Sequence, residues 1–124
     1  MLQTPEARDL MLDRMWATAP GALVEVGLRN ASGVELDPVE CPGYARYTVS
    51  SYGSFWQPAS GGVKSSIVFS LPNTTYAWDD AAVEDCIFVD GVAFDAAPLL
   101  EPLVVDGPGS GPKMRVSRRF DEGV

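Results

Sequence analysis

Val63-Lys64-Ser65-Ser66-Ile67-Val68-Phe69-Ser70-Leu71 carries the clearest period in the chain: Val63, Ser65, Ile67, Phe69 and Leu71 alternate with Lys64, Ser66, Val68 and Ser70. A period of two is that of a strand with one face turned to a core. Pro72-Asn73 ends the run. The same reading extends to either side. Val24, Val26 and Leu28 fall on one strand face, closed by Asn30-Ala31-Ser32-Gly33, and Tyr44 to Ser50 follows Cys41-Pro42-Gly43. Downstream, Val83 to Val89 is closed by Asp90-Gly91, and Leu99 to Val105 is broken by Asp106-Gly107-Pro108-Gly109. Met114 to Phe120 alternates Met114, Val116 and Phe120 with Arg115, Ser117 and Arg119. About six strands separated by turn signals predict an antiparallel β-sandwich of jelly-roll-like type.

Ahead of the strands the period lengthens. Thr4 suits an N-cap, Pro5 the first helical position, and Glu6 and Asp9 the positive end of the helix. Ala7, Met11 and Met15 recur every four residues, and Ala19-Pro20-Gly21 stops the pattern. A helix this short is marginal alone in water, so its apolar side must pack on something. The expected organisation is a single domain, residues 1–124, with helix and connection over 1–20 and the sandwich over 21–124.

Composition agrees with a mainly β chain. Among 124 residues, 46% are hydrophobic, enough for one core, and 12 Gly with 10 Pro favour turns over long helices. The net charge of −8 repels nucleic acid at long range. No apolar run approaches the roughly 20 residues of a membrane span. The N-terminal residues lack the pattern of a signal peptide, so synthesis in the cytoplasm is expected. Cys41 and Cys86 make no disulfide framework and read as small, reduced, buried side chains.

The residue types that carry most chemistry are missing or scattered. With no histidine, the commonest general base and metal ligand is absent, and no Ser-His-Asp or Cys-His arrangement can form. Gly107-Pro108-Gly109-Ser110-Gly111 shares only glycine content with a phosphate loop and reads as a turn. Asp79, Asp80, Glu84 and Asp85 match no calcium loop, so solvated loop and strand-face charge is the reading preferred over a metal or acid–base site. Asn73-Thr74-Thr75 is a formal glycosylation sequon that reads as a turn. No catalytic residue, metal or cofactor is implied.

Contact surfaces are better marked. Met11 and Met15 are adaptable side chains suited to interfaces. Tyr52, Phe55 and Trp56 cluster between two strands, either as binding anchors or as a lid over the core, with Trp56 the strongest core candidate. Lys113, Arg115, Arg118 and Arg119 crowd into one short strip, although residues 1–112 hold 15 of the 17 acidic side chains. Alternation places Arg115 and Arg119 on one side with Lys113, and Arg118 on the other.

The order of landmarks resembles a known family. A Leu10-Met11-Leu12-Asp13 helix segment is followed by Val24-Glu25-Val26-Gly27-Leu28, then Gly43-Tyr44-Ala45-Arg46-Tyr47. Next come Ala59-Ser60-Gly61-Gly62-Val63 and Val68-Phe69-Ser70-Leu71-Pro72, and Trp78 precedes a strand ending in Asp90-Gly91. This is similar to the small tail-fibre-like or minor virion proteins of tailed phages, especially phages of actinobacteria. The resemblance spans roughly residues 7–120 and departs from the family over Leu99 to Leu103 and the basic Lys113 to Arg119.

It implies a virion structural protein of tail, baseplate or capsid-decoration type. Its partners would be copies of itself and other virion proteins, with no nucleic acid and no membrane. The competing reading is a carbohydrate-binding sandwich that meets a host-surface glycan on Tyr52, Phe55 and Trp56.

Overall fold

The computed structural model describes residues 4–71, 77–103, 105 and 113–119. The sequon, the stops at Pro72 and Asp106 to Gly109, the loop at 107–111 and Phe120 lie outside them. The chain opens with α1 (Pro5–Met15), continues through β1 (Val24–Arg29) and β2 (Tyr47–Thr48), and makes one helical turn, α2 (Tyr52–Phe55). It then runs through β3 (Val63–Ser65), β4 (Phe69–Ser70), β5 (Ala82–Val89), β6 (Val92–Leu103), β7 (Lys113–Met114) and β8 (Ser117–Arg119). The fold is mainly β. A four-stranded antiparallel sheet, ordered β2-β1-β5-β6, faces two short ladders, β3-β8 and β4-β7, across a shared core.

The centre of that core follows from alternation on β1. Val24, Val26 and Leu28 are buried and meet Ile87 from β5, with Phe55, Trp56, Phe69 and Val116 closing the other side. Cys41 and Cys86 are free and buried, and burial pushes both thiol pKa values up.

Helix α1 begins as expected, with Thr4 Oγ1 accepting the Ala7 N–H at 3.2 Å, but it ends at Met15 and turns a different face inward. Leu12 and Trp16 are buried, whereas Met15 is 61% exposed and Met11 36%. The reason is polar. Asp13 Oδ1 accepts the Ala59 N–H at 2.8 Å and Lys64 Nζ at 2.6 Å, and Asp9 Oδ1 accepts the Gly62 N–H at 2.7 Å. One turn apart on the helix, the two carboxylates clamp the 59–64 segment and rotate the methionines to the surface.

The strand expected over Val63 to Leu71 is two strands with a slip between them. Lys64 and Ser66 are buried, while Ile67 and Val68 are exposed. Phe69 and Leu71 are buried again. Ser66 exchanges hydrogen bonds with Val116, its N–H donating to the Val116 carbonyl at 2.8 Å and its Oγ accepting the Val116 N–H at 2.9 Å. The next aligned pair is Phe69 with Met114. Three steps on one strand therefore match two on the other. That is a β-bulge, and the extra residue moves later side chains to the opposite face. The same slip divides the expected Met114 to Phe120 strand into β7 and β8.

Two further boundaries differ from the sequence reading. Tyr44 to Ser50 pairs only at Tyr47–Thr48, because Tyr44 and Arg46 serve the polar cluster described below. Strand β6 begins at Val92 rather than Leu99. Asp90 and Gly91 have φ of 51° and 85°, the positive values that a two-residue hairpin turn needs, and Val89 pairs directly with Val92.

Candidate functional site

Three groups of polar side chains stand out, one half-buried, one buried and one open. The first explains Gly43-Tyr44-Ala45-Arg46. The Tyr44 hydroxyl donates to Glu35 Oε2 at 2.6 Å and accepts the Leu28 N–H at 3.0 Å. Arg46 meets Glu35 through two hydrogen bonds of 2.8 Å, reaches Glu25 at 3.4 Å, and lies 3.6 Å over the Phe88 ring. Gly27 makes room for this stack: a Cβ there would come within 2.7 Å of Phe88 and 2.8 Å of the Tyr44 hydroxyl.

The hydrogen bonds from Arg46 hold the Glu35 carboxyl below its ordinary value of 4.5, against the opposing effect of burial. A depressed carboxyl pKa contributes stability that is present above about pH 4.5 and lost as the pH falls through the folded value. Stability should therefore drop on acidification below that point, and the slope should be shallower in Glu35→Gln. At neutral pH the substitution should cost roughly 1–3 kcal/mol, the worth of hydrogen bonds to a charged group. Urea unfolding across a pH series measures both, and parallel slopes for the two proteins would show that Glu35 is not responsible.

The second group is deeper. Arg118 Nη2 and Nη1 donate to the two oxygens of Asp85 at 2.6 and 3.2 Å, and Nε donates to Asp95 at 2.5 Å. The Arg118 side chain is 8% exposed and that of Asp85 2%. Burial works against the Arg118 charge, but the two carboxylates more than compensate, and its pKa is raised. Asp85 is thus an internal partner, not the solvated strand-face charge expected of it. Arg118 likewise leaves the set of interface candidates.

The third group is open. A groove of about 860 Å3 runs between β6 and the β7–β8 segment, with Ala97, Leu99, Leu103 and Met114 among its lining residues. Lys113, Arg115 and Arg119 stand along it and are exposed. Val116 and Arg118 point inward, so the alternation separates Arg118 from Arg115 and Arg119 as expected. Among the described residues, no carboxylate forms a salt bridge with Lys113, Arg115 or Arg119.

The aromatic candidates divide between core and surface. Phe55 is 3% exposed and Trp56 9%, and both belong to the core. Trp56 stacks at a tilt on Trp16, 5.0 Å between centroids, and meets Phe55 edge-on at 5.2 Å. Of the two uses left open by the sequence, the core lid holds for both rings, with Trp56 buried as expected, and both leave the set of interface candidates. Tyr52 is half-buried and packs against the same cluster.

The acidic run disperses as well. Asp80 accepts from Asn30 at 2.8 Å, Glu84 pairs with Arg29 at 3.3 Å, Asp85 faces Arg118, and Asp79 is exposed. Among the described residues no group of three or more His, Cys, Asp or Glu is placed to hold a metal ion, and no helix is long and apolar enough to cross a membrane.

Beyond the core, large apolar side chains remain at the surface. Leu10, Met11 and Met15 lie on α1, and Val92 and Phe94 on β6, the edge strand of the four-stranded sheet. Compared with known proteins, the sequence matches no family model, and no curated protein is significantly similar to it.

Proposed function

We propose that this chain is a non-enzymatic structural component of a tailed-phage virion, a tail- or baseplate-fibre-type, minor tail or capsid-decoration protein that acts through protein–protein contacts. The observation that carries the contact role is the division of charge. The buried charged side chains Lys64, Asp85 and Arg118 are paired within the fold, as are half-buried Glu35 and Arg46, whereas Lys113, Arg115 and Arg119 stand exposed along an open groove. Exposed Leu10, Met11, Met15, Val92 and Phe94 add apolar surface of the kind that partners cover. The phage setting rests on the order of sequence landmarks from Leu10 to Gly91.

A host-surface glycan is the competing partner. With Phe55 and Trp56 in the core, Tyr52 alone of the three aromatics is partly open to a sugar.

An epitope-tagged copy, produced in cells making particles from the genome that encodes this sequence, tests the role. The tag should copurify with density-gradient-purified particles and be visible on them by immunogold labelling. Particles of normal morphology that lack the chain would overturn it.

A further inference from the structure

The basic groove has a matching key on the same chain. Asp37 to Cys41 forms a tight turn: Asp37 Oδ1 accepts the Val39 N–H at 2.9 Å, and the Cys41 N–H donates to the Asp37 carbonyl at 2.7 Å. The turn is held to the body from two sides. The Asp79 N–H donates to the Glu40 carbonyl at 2.9 Å, and the Trp78 indole donates to the Pro42 carbonyl at 2.9 Å. At its tip Val39 is 84% exposed, the most exposed large apolar side chain among the described residues; exposed Asp37 and Glu40 lie in the same turn, and exposed Asp79 is hydrogen-bonded to it through the backbone. An apolar knob beside negative charge complements a groove lined by apolar side chains and three exposed cations, where the carboxylates of Asp85 and Asp95 are already engaged by Arg118.

We infer that the Asp37–Cys41 turn of one copy docks in the Lys113–Arg115–Arg119 groove of a second copy. Val39 enters among Leu99, Leu103 and Met114, and Glu40 and Asp79 meet the cations. The inference deepens the assembly role proposed above and rests on it for its biological setting. A second copy is the occupant because the turn is pinned to its own body and is not free to swing into its own groove. Copies of net charge −8 repel one another at distance, so only a locally opposite pair of surfaces brings them together in a fixed register. Knob and groove are different surfaces, so each copy can give one and receive the other. Such heterologous contacts build rings or filaments.

Charge exchange tests this directly. Wild-type chain, R115E/R119E and E40K/D79K are compared by sedimentation velocity over a concentration series, with thermal unfolding of each as the check on folding. The wild type should associate with rising concentration and less so with rising salt. Each double variant should associate at least about tenfold more weakly at an unchanged unfolding midpoint. An equimolar mixture of the two variants should recover association, because the reversed knob now fits the reversed groove.

A wild type that stays monomeric, association untouched by either variant, or correctly folded variants whose mixture does not associate would each overturn the docking. The virion role is judged separately. A chain found in particles whose variants fail the exchange loses the docking and keeps the role. Recovered association with a chain absent from particles does the reverse.

Discussion

Arg118→Ala should destabilise the chain by about 3–5 kcal/mol, the cost of breaking a buried ion pair from one side. The guanidinium satisfies both oxygens of Asp85 and one of Asp95. Removing it leaves Asp85, whose side chain is 2% exposed in the intact fold, without the cation that both its oxygens meet. The loss reaches beyond one contact, because β8 joins the fold through only three aligned pairs with β3, and Arg118 ties it to β5 and β6 as well. Arg118→Lys should recover only part of the loss, since an ammonium lacks the planar fork that meets two carboxylates at once. Replacing the pair together, Asp85→Leu with Arg118→Met, should restore most of the stability, because no charge is then stranded. Urea midpoints at constant slope measure all three. A single Arg118→Ala variant within about 1 kcal/mol of wild type would refute this account. The triad also bears on function: its loss disturbs a wall of the groove, so weak assembly by an Arg118 variant would report folding and not docking.

Phe55→Ala should cost a similar amount, about 3–5 kcal/mol, as expected for emptying an aromatic site in a packed core. The Phe55 ring sits 5.2 Å from Trp56, 5.8 Å from Phe69 and 6.4 Å from Tyr47, between centroids. Its carbonyl accepts the Ile67 N–H at 2.8 Å, so α2 is tied to the bulged strand as well as packed on it. Tyr52→Ala, at a half-buried position, should cost less, roughly 1–2 kcal/mol. Thermal or urea unfolding separates the two, and a glycan array provides the opposite test. If Phe55→Ala left stability unchanged while abolishing binding to a sugar, the ring would be a binding anchor after all.

These two residues mark where a sequence reading of this chain stops. For Phe55, the cluster of aromatics was legible, and so were its two possible uses, as anchor or lid. Only the placement of β4, which brings Phe69 beneath the ring, decides between them. For Arg118, alternation separated it from Arg115 and Arg119 through local geometry alone. That it turns inward depends on Asp85, 33 positions away, and a partner at that separation is defined only once the sheet has formed.

The mainly β class, the leading helix with its Thr4 cap, the alternating faces of β1 and the lack of histidine chemistry were all legible in the chain before it folds. Each of these follows from local period, turn residues or composition. The sequence also carried a hairpin signal at Asp90-Gly91, where the positive φ values that such a turn needs are available to Asp and Gly at little cost, so β6 begins at once. Contacts between distant segments settled which face of α1 and of the β3–β4 run is buried. Asp9 and Asp13 bind the 59–64 segment and turn Met11 and Met15 outward, and Ser66 binds Val116 and places a one-residue bulge before Phe69. A repeating pattern records which side chains share a face. It holds no record of what that face meets, or of where a partner strand slips by one residue, because those depend on hydrogen bonds between segments far apart in the chain.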